Sequence, residues 1–545
     1  VPAGLHHAAV LSLLLPGGRD AAAAAFTRAE RVRAGFLGAV RALDAAGTDR
    51  EDRAAVRNWL AAEARWAAEF EEHLGAVRRT AASGARGGRP EETGERLSGG
   101  AVPRAAERRA RIAAVDQALA AAETAVRIRV PAALAPVGDD VVPDAAAVAE
   151  ALPPDTVLLA HHLFDDVLVG WAMTRDRLLV ERVTAPPGRH RLAHHVVATA
   201  RRYRDWCAAT GYGGPAEADG RRLADWLLRP FAPLLREFRR VIVVPPAALA
   251  LLPFHALPWD GDVLAATHEV SYLPAAAQLT RRHARRPDRP WSGLGALLVG
   301  APASDPRHGL PELPGTAVET AEIARLLPGS RLLTGARATR AAVVEAAPGH
   351  DVLHLATHGL IDELAPNRSR LPLAGDDFLG LADLLSAARD PQLLVLSACD
   401  TGRGRATAGG DVLGLTRAAQ VIGARHTVVS LWPVHDSVGC LVITRMYRHL
   451  LGHPAAHVGH ALALAQREVR ALSGAERGEE FRLLASRAGV DPGPRARARS
   501  WSSSWSRSWF CGEPPGPSRD SEPVRRPAAT ERHPYHWAPF IHVGV

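Results

Sequence analysis

The chain has 545 residues, 47% hydrophobic and 23% charged, a length and balance that allow two or three domains and a large buried core. Its formal charge of +8 comes from 66 basic residues against 58 acidic ones, and every basic residue is arginine. The missing lysine excludes a Walker-type phosphate loop, a Schiff-base lysine and a serine–lysine dyad, each of which needs the ammonium group.

The arginine excess, with heavy use of Ala, Gly and Pro, is the bias of a GC-rich coding sequence. Only Arg281 to Arg289 and Arg495 to Arg507 are locally basic, so nucleic acid is not expected as a main partner. Cys207, Cys399, Cys440 and Cys511 lie far apart with no CxxC pair, which points to neither a structural zinc nor a disulfide framework. No run of eighteen apolar residues occurs, and the leading AVLSLLL run lacks a basic flank and a clear cleavage site. A cytoplasmic protein with reduced thiols, no membrane partner and no metal or other cofactor is expected.

In chain order, residues 20–80 show apolar positions at helical spacing: Phe26, Val32, Phe36, Val40, then Trp59, Trp66, Phe70, Leu74. Gly84 to Gly100 reads as a linker, and a further helix is predicted from about Arg104 to Arg127. Residues 1–140 thus form an expected helical region, regulatory or partner-binding. Near residue 150 the texture changes to strand-like runs alternating with helices: TVLLAHHLF, VLVGWAMT and RLLVERV, helices from about His190 to Cys207 and Arg221 to Phe238, then RVIVVP, EVSYLP and ALLVGAP. The helix GTAVETAEIARLL, the strand SRLLTG, a helix near Ala338 to Ala347 and the strand in DVLHLATHG follow. A helix at Leu381 to Ala387 leads to QLLVLSACDTG, the helix DVLGLTRAAQVIG, RHTVVSLW and two helices between Ser437 and Leu472. Such alternation predicts an α/β fold, a parallel or mixed sheet with helices on both faces. Residues 492–530, rich in Pro, Ser, Arg and Gly, read as a disordered insertion, after which HWAPFIHVG regains strand character.

Two of these runs end in chemistry. DVLHLATHG and PQLLVLSACDTG are apolar runs about forty residues apart that stop at small, polar turns, one delivering His358 and the other Cys399. Neighbouring parallel strands would present the pair at their carboxyl ends, where open α/β sheets place active sites. Taken singly, Cys399 would more often be a buried filler and His358 a satisfied turn histidine. Gly359, with no Cβ, lets its N–H face a substrate closely, and with the N–H of Cys399 it makes a candidate oxyanion hole. His354 and His358 would lie about 13 Å apart along a strand, too far for one metal ion.

From about residue 150 to its end the chain resembles the CHAT domain, a caspase-like cysteine peptidase family related to separase. The resemblance rests on VIVVPPAALALLPFHALPW, LPGTAVETAEIARLL, HLATHG, LSACDTG, GGDVLGLTRAAQVIGARHTVVSLWPVHD, the MYRHLL and ALALAQREV helices, and HPYHWAPFIHVG. It implies a caspase-like, mostly parallel sheet flanked by helices over residues 150–545, interrupted by the insertion. It further implies a cysteine endopeptidase in a bacterial regulatory or defence pathway, with His358 as general base, Cys399 as nucleophile and a protein as substrate. A silent caspase-like scaffold acting by protein–protein contact is the alternative class.

Asp400, Trp432 and Asp436 stand where related peptidases hold the residue before the cut, and an acidic pocket there would select a basic side chain. Alternatively, Asp400 bonds its own turn and Asp436 caps the helix that follows it. YLPAAA departs from the family pattern in carrying alanine where a serine is common.

Overall fold

In the computed structural model the described residues are 10–14, 17–32, 46, 49–63, 65, 101–130, 144–184, 191–209, 216–283, 288–303, 306–360, 369–387, 390–397, 419, 422–453, 456–491 and 532–545. Within them the apolar runs become strands: β1 Thr156–Leu163, β2 Val167–Met173, β3 Leu178–Thr184, β4 Arg240–Val244, β5 Pro258–Trp259, β6 Asp262–Val263, β7 Glu269–Tyr272 and β8 Ala296–Pro302. After these come β9 Arg331–Gly335, β10 Val352–Ala356, β11 Arg370–Pro372, β12 Phe378–Gly380, β13 Leu393–Leu396, β14 His426–Ser430 and β15 Phe540–Gly544. Eleven form one sheet in the order β3-β2-β1-β4-β7-β15-β14-β13-β10-β8-β9, while β5 with β6 and β11 with β12 make small ribbons.

The sheet has two parallel blocks of opposite direction. From β14 through β13, β10 and β8 to β9 neighbours run parallel. The strands β1, β4, β7 and β15 also run parallel to one another. The blocks meet where β15 lies antiparallel to β14, from His426 opposite Gly544 to Ser430 opposite Phe540. The last strand in sequence is therefore central in the sheet, and β2 and β3 extend the far edge as an antiparallel hairpin. The mostly parallel, helix-flanked sheet and the preceding helical region agree with the sequence reading.

Period-two alternation sets the layers on the β1 side. Val157, Leu159, Val241 and Val243 face a core shared with helices Leu192–Cys207 and Ala216–Leu227. Leu158, Ala160, Ile242 and Val244 face helices Gly18–Val32, Ala145–Ala151 and Ala277–His283 on the other side. Part of the N-terminal helical region is thus built onto the sheet: Phe26 packs on Trp171 with ring centroids 6.1 Å apart, and the Trp171 indole N–H donates to the Ala22 carbonyl. A second helix, over residues 50–63, contributes Val56 and Leu60 to the main core, and its Arg53 donates to Asp390 at 2.9 Å, just before β13.

The N-terminal region also reaches YLPAAA: the buried Glu30 of helix Gly18–Val32 accepts the Ala276 N–H at 2.7 Å. Glu30→Ala leaves that buried donor unmet and loosens the helix–sheet contact. A loss of about 1–3 kcal/mol in denaturant unfolding is expected.

Several elements depart from the sequence reading. The helix expected from Arg221 to Phe238 splits into Ala216–Leu227, a 3₁₀ turn Arg229–Phe231 and Ala232–Glu237, because Pro230 and Pro233 carry no N–H for a continuous ladder. Helix Gly474–Ala488 was not expected; Ser473 and Glu476 form its capping box, and Gly489 closes it in the left-handed region. Phe36, Val40, Trp66, Phe70, Leu74, the Gly84 to Gly100 linker, most of DVLGLTRAAQVIG and the 492–530 segment lie outside the described residues.

At the joint between the blocks, Asp288 accepts from His426 Nε2–H at 2.9 Å. That leaves His426 Nδ1 to accept from His542 Nε2–H at 3.0 Å, and His542 Nδ1 to accept from the Ser271 hydroxyl at 2.8 Å. One carboxylate at the end of the row fixes both tautomers. The chain of bonds staples β14, β15 and β7.

Candidate active site

β10 and β13 are adjacent parallel strands with Leu355 opposite Leu396. His358 comes three residues after the first of this pair, and Cys399 stands three after the second in sequence. Cys399 and Asp400 themselves lie outside the described residues.

His358 sits half-buried just past the end of β10. Its Nε2–H donates to the Pro311 carbonyl at 2.7 Å. A carbonyl only accepts, so the neutral ring carries its proton on Nε2 and keeps a bare lone pair on Nδ1. Burial lowers the imidazole below its ordinary value, partly offset by that carbonyl. A neutral, oriented imidazole with one free acceptor is what a general base requires. Gly359, next along, has no backbone partner for its N–H among the described residues.

His354 has a different surrounding from His358. It is fully buried on β10, 2.8 Å from the Glu319 carboxylate and 3.3 Å from the Tyr447 hydroxyl. Among the described residues no group of three metal-ligating side chains is placed to hold an ion. Cys207 and Cys440 are buried within helices, and burial pushes both thiols up, away from the thiolate that nucleophilic attack needs.

The pocket candidates divide. Trp432 is buried two residues beyond β14, and its indole N–H has no partner among the described residues. Asp436 is partly buried as the first residue of helix Asp436–Gly452, whose N-cap is His435. Its carboxylate caps another helix: it accepts the N–H of Gly315 at the start of Pro314–Leu326. Burial pushes this carboxyl up to about 7, the Gly315 N–H pulling against the rise and Glu319 adding to it. Sequence reasoning missed Pro311, because a backbone carbonyl carries no residue-type signal.

Helix Pro314–Leu326 stands between the site and the helices behind it. Gly300 of β8 permits its close approach, since a Cβ there would lie 2.5 Å from Thr320 Oγ1. At its far end Glu322 accepts from Arg325 at 2.9 and 3.0 Å and from Arg448 at 2.9 Å. The Arg325 guanidinium, helped by Arg448, holds the Glu322 carboxyl down to about 2. A lowered carboxylate contributes stability above its unfolded value and loses it as pH falls toward the folded one. Glu322→Gln should therefore lower stability at neutral pH and flatten the acid limb between its ordinary value of 4.5 and about 2. With the guanidiniums partly exposed, a loss on the order of 1–2 kcal/mol is expected in urea melts across that range.

The CHAT domain family model matches residues 217–545, well over half of the sequence, and the chain belongs to that family. No curated protein sequence matches it. Among solved structures, it is similar to the separase–securin complex of Saccharomyces cerevisiae at 9% identity and a TM-score of 0.37, covering 59% of this chain and 29% of that one. It is also similar to the Arg-specific cysteine proteinase gingipain R at 11% identity and a TM-score of 0.31, covering 53% and 72%. A complex of the Porphyromonas gingivalis RgpB pro- and mature domains matches at 12% identity and a TM-score of 0.28, covering 49% and 69%. The chain therefore spans less than a third of the separase chain it matches. No helix among the described residues is long and apolar enough to cross a membrane.

Proposed function

We propose that the chain is a cysteine endopeptidase that cuts a protein substrate with His358 and Cys399. The observation that carries this reading is the register of β10 and β13, which gives the two residues equal offsets from one paired rung, beside an imidazole held with Nδ1 unprotonated. Nδ1 takes the thiol proton as sulfur attacks the peptide carbonyl. The N–H groups of Gly359 and Cys399 meet the developing oxyanion, where one donor commonly contributes about 3 kcal/mol. His358 then passes its proton to the leaving amine, and water hydrolyses the acyl-enzyme.

Asp400, beside the nucleophile in sequence, is the acidic group proposed to favour a basic residue before the cut. Residues 150–545 form the proposed peptidase unit. The helices of residues 1–140 are the proposed site for a regulatory protein; the Arg53–Asp390 contact, just before β13, supports a route from them to the nucleophile strand.

The test compares new protein N-termini in cells carrying the wild-type chain or Cys399→Ala. Termini unique to the wild type support the peptidase. Identical profiles with a shared bound partner would instead establish the scaffold.

A further inference from the structure

Helix Pro314–Leu326 starts without a cap of its own. Its N-cap residue is Leu313, with no side-chain oxygen, and Pro314 brings no N–H. Of the next donors, the Thr316 N–H turns back to the Leu313 carbonyl at 3.1 Å, and the Gly315 N–H is met by the Asp436 carboxylate from beyond β14. The approach is close enough that a Cβ on Gly315 would lie 2.6 Å from Asp436 Cγ. Thr316 carries the constraint backwards: its hydroxyl donates to the Leu313 carbonyl at 2.8 Å and accepts the Ala301 N–H of β8 at 3.0 Å. Two residues before Leu313 stands Pro311, whose carbonyl holds His358 Nε2–H.

We propose that Asp436 is a positioning residue for His358, acting through the Gly315–Thr316 helix start and the turn that presents the Pro311 carbonyl. It follows β14, the strand next to β13, so one carboxylate ties the base to the neighbouring part of the sheet. The inference rests on the peptidase reading for its catalytic meaning, but its geometry does not involve Cys399. The groups that face Asp436 are Glu319 on the capped helix, with His354 of β10 behind it, and Cys440 on Asp436's own helix. None of these supplies a donor to the Pro311 turn.

The test is the ring N–H resonance of His358 in the full chain, assigned by its loss in His358→Gln. The wild type should show it, protected from exchange by the Pro311 carbonyl. Asp436→Ala should remove it, whereas Asp436→Asn, which keeps an acceptor oxygen, should restore it. Gly315→Ala should remove it as well. The ring N–H groups of His255 and His161, bonded to the Ala538 and Leu227 carbonyls, report whether the rest of the fold stands. A His358 signal that persists in both Asp436→Ala and Gly315→Ala overturns the proposal, as does its loss in Asp436→Asn with the two control signals intact. If Asp436→Ala also loses the controls, Gly315→Ala and Asp436→Asn decide. Cys399 alkylation separates this from the peptidase reading: a rate unaltered by His358→Ala defeats the dyad, whatever the ring N–H does.

Discussion

Replacing His358 by alanine should slow iodoacetamide alkylation of Cys399 near neutral pH and lower peptide cleavage by about 10²–10⁴-fold, the usual contribution of a positioned base. The fold should survive, because the side chain is half-buried and its one described hydrogen bond goes to a surface turn. The wild-type pH profile carries the sign. Burial lowers the imidazole below its ordinary value of 6.5, so the base form persists into mildly acidic solution. The acid limb of cleavage should therefore be centred below pH 6.5. In the alanine variant the acid limb set by the imidazole should vanish, leaving a rise at alkaline pH governed by the thiol itself. Cys207 and Cys440, buried with raised thiols, should stay unlabelled throughout. Equal labelling of all three would show that Cys399 has no activated environment.

The second large effect concerns β15. Removing residues 533–545 takes away the strand that joins the two blocks and deletes Trp537, Phe540 and Val543 from the core. Phe540→Ala alone should cost about 3–5 kcal/mol. The deletion should exceed the whole margin of a typical domain, about 5–15 kcal/mol, and leave protein without a cooperative thermal transition. A deletion variant that melts cooperatively near the wild-type temperature would show that the two blocks stand without their shared strand.

How far the sequence revealed this arrangement depended on which interactions carry a residue signature. Strands β1, β4, β8, β10, β13 and β14 were legible because continuous apolar runs bounded by turns suit strands buried on both faces. The return of HWAPFIHVG to the sheet was legible for the same reason. Its central place was not, because the partners of His542, at Ser271 and His426, lie 271 and 116 residues away. The candidate site divides along the same line. His358 stands out through its motif, and so does Asp436, but the Pro311 carbonyl and the Gly315 N–H are main-chain groups invisible to composition. Asp436 showed its carboxylate and its place at a helix start, but not that a second helix lacked a cap. Helix Gly474–Ala488 was readable in principle from the Ser473–Glu476 spacing and the closing Gly489.

The central place of β15 has a consequence for synthesis. Residues 269–272 and 426–430 leave the ribosome long before residues 540–544 do, so β7 and β14 must each wait with a row of unmet backbone groups along one edge. Exposed parallel-sheet edges recruit other chains, and at cellular concentrations that interval is the one in which a nascent chain is open to misassociation. Slowing translation ahead of the final strand should therefore raise the aggregated fraction without altering the protein that does fold.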